Sequence, residues 1–157
     1  MSRSRPISAS DPALLLDNQL CFALYSASLA MTKLYKPLLE SLGLTYPQYL
    51  VMLVLWEQDS MTVSGLGERL YLDSGTLTPL LKRMEAADLL QRTRSAQDER
   101  WVVVTLTPAG RKLKARAAKV PACVVQAAGC PVSELVALTH QVQALRDQLG
   151  LAAPVAN

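Results

Sequence analysis

Between Leu90 and Leu106 the chain changes its period once. In "LQRTRSAQDERWVVVTL" the helical spacing of apolar residues gives way to the β-branched run "WVVVTL", which suits a strand. That run pairs with residues 90–94 across a polar loop to predict a single hairpin. The chain before and after it reads as helix. The fold class is therefore mainly α with a small β-hairpin. Composition agrees: half of the 157 residues are hydrophobic but only 5% are aromatic, and a Leu, Ala and Val mixture favours helices over a sheet-rich core. The length fits one domain.

Residues 1–10 read as a flexible tail. Asp11 as cap and Pro12 in the first turn open a helix. Leu20, Leu24, Ala27, Met31, Leu34 and Leu38 carry its apolar stripe, and Gly43 ends it. "YPQYLVMLVLWEQ" (46–58) is a second, very apolar helix opened by Pro47. A short helix follows from about Val63 to Leu70, then a tight turn near Asp73. The next helix ends near Asp88, with Leu77, Leu80, Leu81 and Met84 on its inner face. Pro79 leaves its start open, near Thr78 or near Ser74. Beyond the hairpin an Ala- and Lys-rich helix runs from Pro108 to about Ala128, where Gly129 and Pro131 break it. The last helix carries Leu135, Leu138, Val142, Leu145 and Leu149, a seam that wants a partner helix.

Several function classes drop out. No run reaches the roughly 18 uninterrupted apolar residues of a membrane-spanning helix. "MSRSRPISASDP" has no apolar core of a signal peptide. The expected location is the cytoplasm, with no membrane partner, where three cysteines are an unlikely disulfide framework. No Cys or His spacing suits zinc, and no Gly-rich phosphate loop or hydrolase triad occurs. The chain thus predicts no cofactor, no metal and no catalytic residues. Lone His140 reads as a surface or interface residue. A net charge of +3 requires any basic surface to be local.

A local one is present. Helix, turn, helix and charged hairpin, in that order, make a winged helix-turn-helix. Its outward helix fits a major groove. Ser74, Thr76 and Thr78 at the start of that helix suit base edges or phosphates, and Lys82 and Arg83 suit phosphates. In the hairpin Arg92, Arg94 and Arg100 gather next to Asp98, within reach of a minor groove or adjacent phosphates.

Three stretches, "DNQLCFALYSASLAMTKLYKPLLESLGLTYPQYLVMLVLWE", "LGERLYLDSGTLTPLLKRME" and "RSAQDERWVVVTLTPAG", closely resemble the MarR family of bacterial repressors. They resemble its organic-hydroperoxide-sensing OhrR-type branch in particular, over about residues 14–150. The resemblance implies a homodimer on a palindromic double-stranded DNA operator, with an organic hydroperoxide as inducer. It divides a single domain, 11–150, into dimerisation helices (11–42 and 109–150) and a DNA-binding lobe (46–107), with residues 151–157 as a C-terminal tail. By matching position, Arg100 enters the minor groove and Asp98 orients it. Ser74, Thr76, Thr78 and Arg83 fall where the family's recognition helix meets DNA, and that helix starts near Ser74.

A free cysteine among apolar residues is ordinarily inert packing, but Cys21 matches the branch's peroxide-sensing thiol. The reading places it about ten residues into the first helix, too far from the helix start for the dipole to act on it. No Lys, Arg or His lies near it in sequence, so phenols must serve the sulfur. The resemblance assigns this to Tyr35 and Tyr46. Tyr35 stands about 21 Å from Cys21 along one helix at 1.5 Å per residue, so the phenols come from the other chain. Phe22, Tyr25 and Trp56 are expected to line an apolar pocket that favours organic hydroperoxides over strongly hydrated hydrogen peroxide. Gln126 occupies the family's usual resolving position. Cys123 and Cys130 lie about one turn either side of it, on roughly the same face, and are the candidate resolving thiols, Cys130 slightly ahead. Two alternatives stand beside this reading: a MarR-type regulator answering a non-covalent phenolic ligand, and a thiol peroxidase that turns over on Cys21.

Overall fold

The computed structural model describes residues 11–152. The tail expected at 1–10, and residues 153–157 of the one expected at 151–157, lie outside the described residues. The chain divides into two compact units, residues 1–111 and 112–157.

The first unit opens with two 3₁₀ turns, Pro12–Leu14 and Leu16–Asn18. Asp11 does cap, its Oδ1 accepting the Ala13 N–H at 3.0 Å, but a single turn only. The continuous helix expected from Asp11 does not form. Asn18 Nδ2 donates to the Pro12 carbonyl at 2.7 Å, and Gln19 Nε2 donates to those of Ala13 and Leu15 at 2.8 and 2.9 Å. These carboxamides satisfy carbonyls that helical backbone would otherwise have to reach. Helix α1 therefore starts only at Leu20 and runs to Glu40. Gly43, at φ +70°, reverses the chain after it.

Helix α2 (Tyr46–Glu57) carries a reciprocal cap. Thr45 Oγ1 accepts the Gln48 N–H, and Gln48 Oε1 accepts the Thr45 N–H at 3.0 Å. Next come β1 (Met61–Thr62), α3 (Val63–Leu70), α4 (Ser74–Ala86), β2 (Leu90–Arg94) and β3 (Val102–Leu106). The hairpin forms in the expected register range, Leu90 opposite Leu106 and Arg94 opposite Val102. It is one strand larger than expected: the two residues of β1 pair with β3 and complete an antiparallel sheet of order β1-β3-β2. Val51, Met52, Leu55, Leu66, Leu77, Leu81, Met84, Leu90 and Val104 are buried.

Helix α5 (Pro108–Ala117) begins in this unit and ends in the next. Gly110 is required there, because a Cβ would stand 2.1 Å from the Leu89 carbonyl oxygen. Thr107 Oγ1 donates to the Asp88 carbonyl and accepts the Gly110 N–H at 3.0 Å. The helix expected to reach Ala128 is interrupted after Ala117. Pro121 has no N–H to continue the ladder, so a separate α6 (Val120–Ala128) starts around it. Gly129, at φ +65°, ends α6 as expected. Helix α7 (Val132–Ala152) then extends two residues past the expected end of the domain. Leu138 and Leu149 on it are 55% and 59% exposed, while Leu135 and Leu145 are half-buried. No single helix among the described residues is long and apolar enough to cross a membrane.

Candidate functional site

Two groups of side chains are positioned for chemistry, one on the helix-turn-helix and hairpin, one on α1 and α2. In the first, α3 stops because Tyr71 enters the left-handed region at φ 56°, ψ 37°. A Cβ on Gly67 would come within 2.7 Å of the Leu72 carbonyl oxygen, so only glycine lets the turn close this tightly. Asp73 Oδ1 then accepts the Thr76 N–H at 2.8 Å and starts α4. Leu77, Leu80, Leu81 and Met84 are buried. Ser74, Thr76, Lys82 and Arg83 are exposed and Thr78 is half-buried. The start at Ser74 decides the Pro79 question for the longer helix, with Pro79 itself on the exposed side.

At the hairpin tip Asp98 grips Arg100. The Arg100 Nη2 lies 2.6 Å from Oδ2, its Nε 3.0 Å from Oδ1, and its backbone N–H also donates to Oδ1 at 3.0 Å. The Arg100 side chain remains 85% exposed. The guanidinium, then the backbone N–H, holds the Asp98 carboxyl below its usual range, and the carboxylate in turn raises the guanidinium. Arg94 Nη1 donates to the Glu99 carbonyl at 2.8 Å and braces the same loop.

Arg92 departs from the expected cluster. Strand alternation sets it opposite buried Val104, where it meets Glu85 of α4 with Nη2 at 2.9 Å and its backbone N–H at 2.9 Å. Those two bonds, the backbone one first, hold the Glu85 carboxyl down. Arg92 ties the hairpin to α4 and leaves two arginines at the tip.

Asp59 was missed in the sequence. Its carboxylate accepts the N–H groups of Leu106 and Ser60 at 2.9 and 2.8 Å and the Arg111 guanidinium at 3.0 Å, joining the end of α2 to β3 and α5. Burial pushes its carboxyl up, but the Leu106 N–H, the Arg111 guanidinium and the Ser60 N–H together hold it below the usual range. Only "EQDS" after an apolar helix marks it in the sequence, and such a run usually reads as loop.

Along α1, Cys21 is exposed and is the second residue of the helix. This corrects the expected position ten residues in: the first-turn N–H groups are close by, where an anion is favoured. Tyr35 and Tyr46 come together as expected, ring centroids 5.0 Å apart, and Tyr49 joins them at 6.0 and 6.5 Å. The signal for Tyr49 was in "YPQY", since positions three apart share a helix face. Burial first, then the neighbouring rings, pushes the Tyr35 and Tyr49 phenols up, so both stay O–H donors. Cys21 and Tyr35 are fourteen residues apart on one helix, about 21 Å at 1.5 Å per residue.

The three expected pocket residues are placed differently. Phe22 and Tyr25 are exposed near the start of α1. Trp56 is half-buried near the end of α2, and its Nε1–H donates to the Gly110 carbonyl at 3.0 Å. Cys123 lies within α6 and Cys130 beyond its end, both half-buried and free. The common face expected for them is lost, because α6 stops at Ala128.

The family model for the transcriptional regulator SarA/Rot matches residues 33–117. The organic hydroperoxide resistance transcriptional regulator of Bacillus subtilis is 56% identical over 110 residues, 70% of this chain and 75% of that protein. The chain belongs to the MarR family. Among solved structures, reduced AbfR of Staphylococcus epidermidis bound to DNA has a TM-score of 0.70 at 34% identity, covering 87% of this chain and 94% of that one. AbfR with its disulfide formed has a TM-score of 0.58 at 35% identity, covering 83% and 91%. The MarR-family chain is a regulator of transcription and not an enzyme, which removes the thiol peroxidase alternative.

Proposed function

We propose that the chain is a cytoplasmic repressor that binds a palindromic DNA operator as a homodimer and releases it when an organic hydroperoxide oxidises Cys21. The observation that carries this reading is the exposure of Cys21 on the first turn of α1, beside exposed Leu20, Phe22 and Tyr25. A sulfur in apolar surroundings receives an alkyl hydroperoxide better than a strongly hydrated one. The phenols of Tyr35 and Tyr46 cannot reach it within one chain, so they act on the partner subunit's thiol, with Tyr49 packed behind them.

The chemistry balances simply. The Cys21 thiolate attacks one oxygen of the hydroperoxide and the O–O bond breaks. The hydroxyl ends on sulfur as a sulfenic acid, and the alkoxide takes a proton and leaves as the alcohol. A second thiol then attacks that sulfur, the S–S bond forms and water departs. Cys130 and Cys123 are the two thiols of the chain that can do this, Cys130 with the freer backbone outside a helix. On the operator, Ser74, Thr76 and Thr78 serve base edges or phosphates, Lys82 and Arg83 serve phosphates, and Arg100, oriented by Asp98, enters the minor groove with Arg94 bracing the loop.

The test is binding to the DNA upstream of the protein's own gene, with and without cumene hydroperoxide. Wild type should bind and then release. Cys21→Ser should bind and stay bound. Release of the mutant at the wild-type dose would place the sensor elsewhere and favour the non-covalent ligand. Non-reducing gels of Cys123→Ser and Cys130→Ser identify the resolving thiol as the one whose loss abolishes the covalent dimer.

A further inference from the structure

The two tryptophans of the chain have opposite surroundings. Trp56 is half-buried and its indole N–H is satisfied by the Gly110 carbonyl. Trp101 is 53% exposed, and among the described residues its indole N–H has no partner. Its backbone, by contrast, is fixed. The Trp101 N–H donates to the Asp98 carbonyl at 3.0 Å, and its own carbonyl accepts the Ser95 N–H at 2.8 Å. Trp101 follows Arg100 and precedes Val102, which pairs with Arg94. Strand alternation turns it away from the face of buried Val104 and Leu106.

A single exposed aromatic is ordinary on a protein surface. This one sits on a backbone fixed at the hairpin tip, directly after Arg100, whose exposed guanidinium is held by Asp98. The surface that would cover it must carry anions and apolar C–H edges side by side. A sugar–phosphate backbone does so. We propose that Trp101 is a DNA contact, its ring packing on a deoxyribose at the rim of the groove that Arg100 enters and its Nε1–H donating to a phosphate oxygen. The proposal rests on the reading of the hairpin as a DNA-binding wing. It gives the wing a neutral anchor beside a charged one.

The difference has its own signature. A cation that neutralises a phosphate releases counterions, and a neutral ring does not. Covering the exposed part of an indole supports a loss of about tenfold in operator affinity for Trp101→Ala, with the slope of affinity against salt unchanged. Wild-type emission should become less accessible to acrylamide on operator binding, and this protection should vanish in Trp101→Phe. If Trp101→Ala binds as wild type while Arg100→Ala is weakened, the proposal fails and the wing reading survives. If both bind as wild type, the wing reading fails as well. Protection that persists in Trp101→Phe would assign it to Trp56 and overturn the contact.

Discussion

The helix-turn-helix with its sheet buries most of its apolar side chains, leaving Tyr71 and Trp101 outside, while α1 and α7 display theirs. Met52, Leu66, Leu81 and Val104 are wholly covered. Leu20, Tyr25, Leu138 and Leu149 are each more than half exposed. Both sets are largely apolar, so the difference lies in what completes each region. The lobe is finished by its own chain. The long helices carry exposed apolar seams that the second copy covers in the proposed dimer, and Cys21, the proposed sensing thiol, sits on one of them. Stability of the reading head and integrity of the sensor can therefore be broken separately.

The largest effect is expected on the side that lacks its partner. Leu138→Glu together with Leu149→Glu should raise the dimer dissociation constant by about a hundredfold or more, because a buried carboxylate costs several kcal/mol. Sedimentation should find monomers whose tryptophan emission is still native-like. A wild-type dimer affinity would remove α7 from the interface.

The converse break is Asp59→Ala, within the lobe. It orphans the Leu106 N–H and frees Arg111, for a loss of about 1–3 kcal/mol at neutral pH, read from urea unfolding. The sign with pH follows from the depressed carboxyl. Its contribution is complete above the ordinary carboxylate range, about pH 4, and fades as pH falls through the lowered value. Wild type and variant should converge in acid. A gap that widens there would refute the assignment.

Arg100→Ala sharpens the comparison by weakening DNA without touching stability. Operator affinity should fall by about 1–3 kcal/mol and the salt slope by about one, at an unchanged melting temperature. An unchanged slope would mean that Arg100 meets no phosphate.

The smallest effects belong to the phenols. Tyr35→Phe and Tyr46→Phe keep the rings and delete one donor each, so alkylation of Cys21 should slow by up to about tenfold, the worth of one hydrogen bond. Tyr49→Phe should slow it less, since that ring only backs the other two. Rates indifferent to all three would leave the thiolate to the start of α1 alone.

The same contrast governs what could be read beforehand. In the lobe local signals agree with one another: Thr45 with Gln48, Asp73 before Ser74, and Leu77, Leu80, Leu81 and Met84 at helical spacing. Helices α2, α3 and α4 and the hairpin were legible from these. Features fixed by particular polar partners or by strand pairing, which apolar periodicity does not encode, were not. The strand β1 is two residues long and exists only because β3 lies beside it. Arg92 looks like its neighbours until Glu85 is brought to it. The start of α1 was misplaced because Asn18 and Gln19 compete for backbone carbonyls, a contest that apolar periodicity does not register. Of the proposed sensing group, Cys21 with Tyr35 and Tyr46 came from the resemblance, and the neighbouring ring of Tyr49 came from the fold.

One unbroken helix keeps the thiol and the first phenol of each chain about 21 Å apart, and this has a genetic reading. On the proposed function, each sensing centre draws its sulfur from one allele and its phenols from the other. Take a cell carrying one copy with Cys21→Ser and one with Tyr35→Phe and Tyr46→Phe. Its mixed dimers hold one centre that lacks everything and one that is whole. Two defective alleles of these different kinds complement each other, while two of the same kind never do.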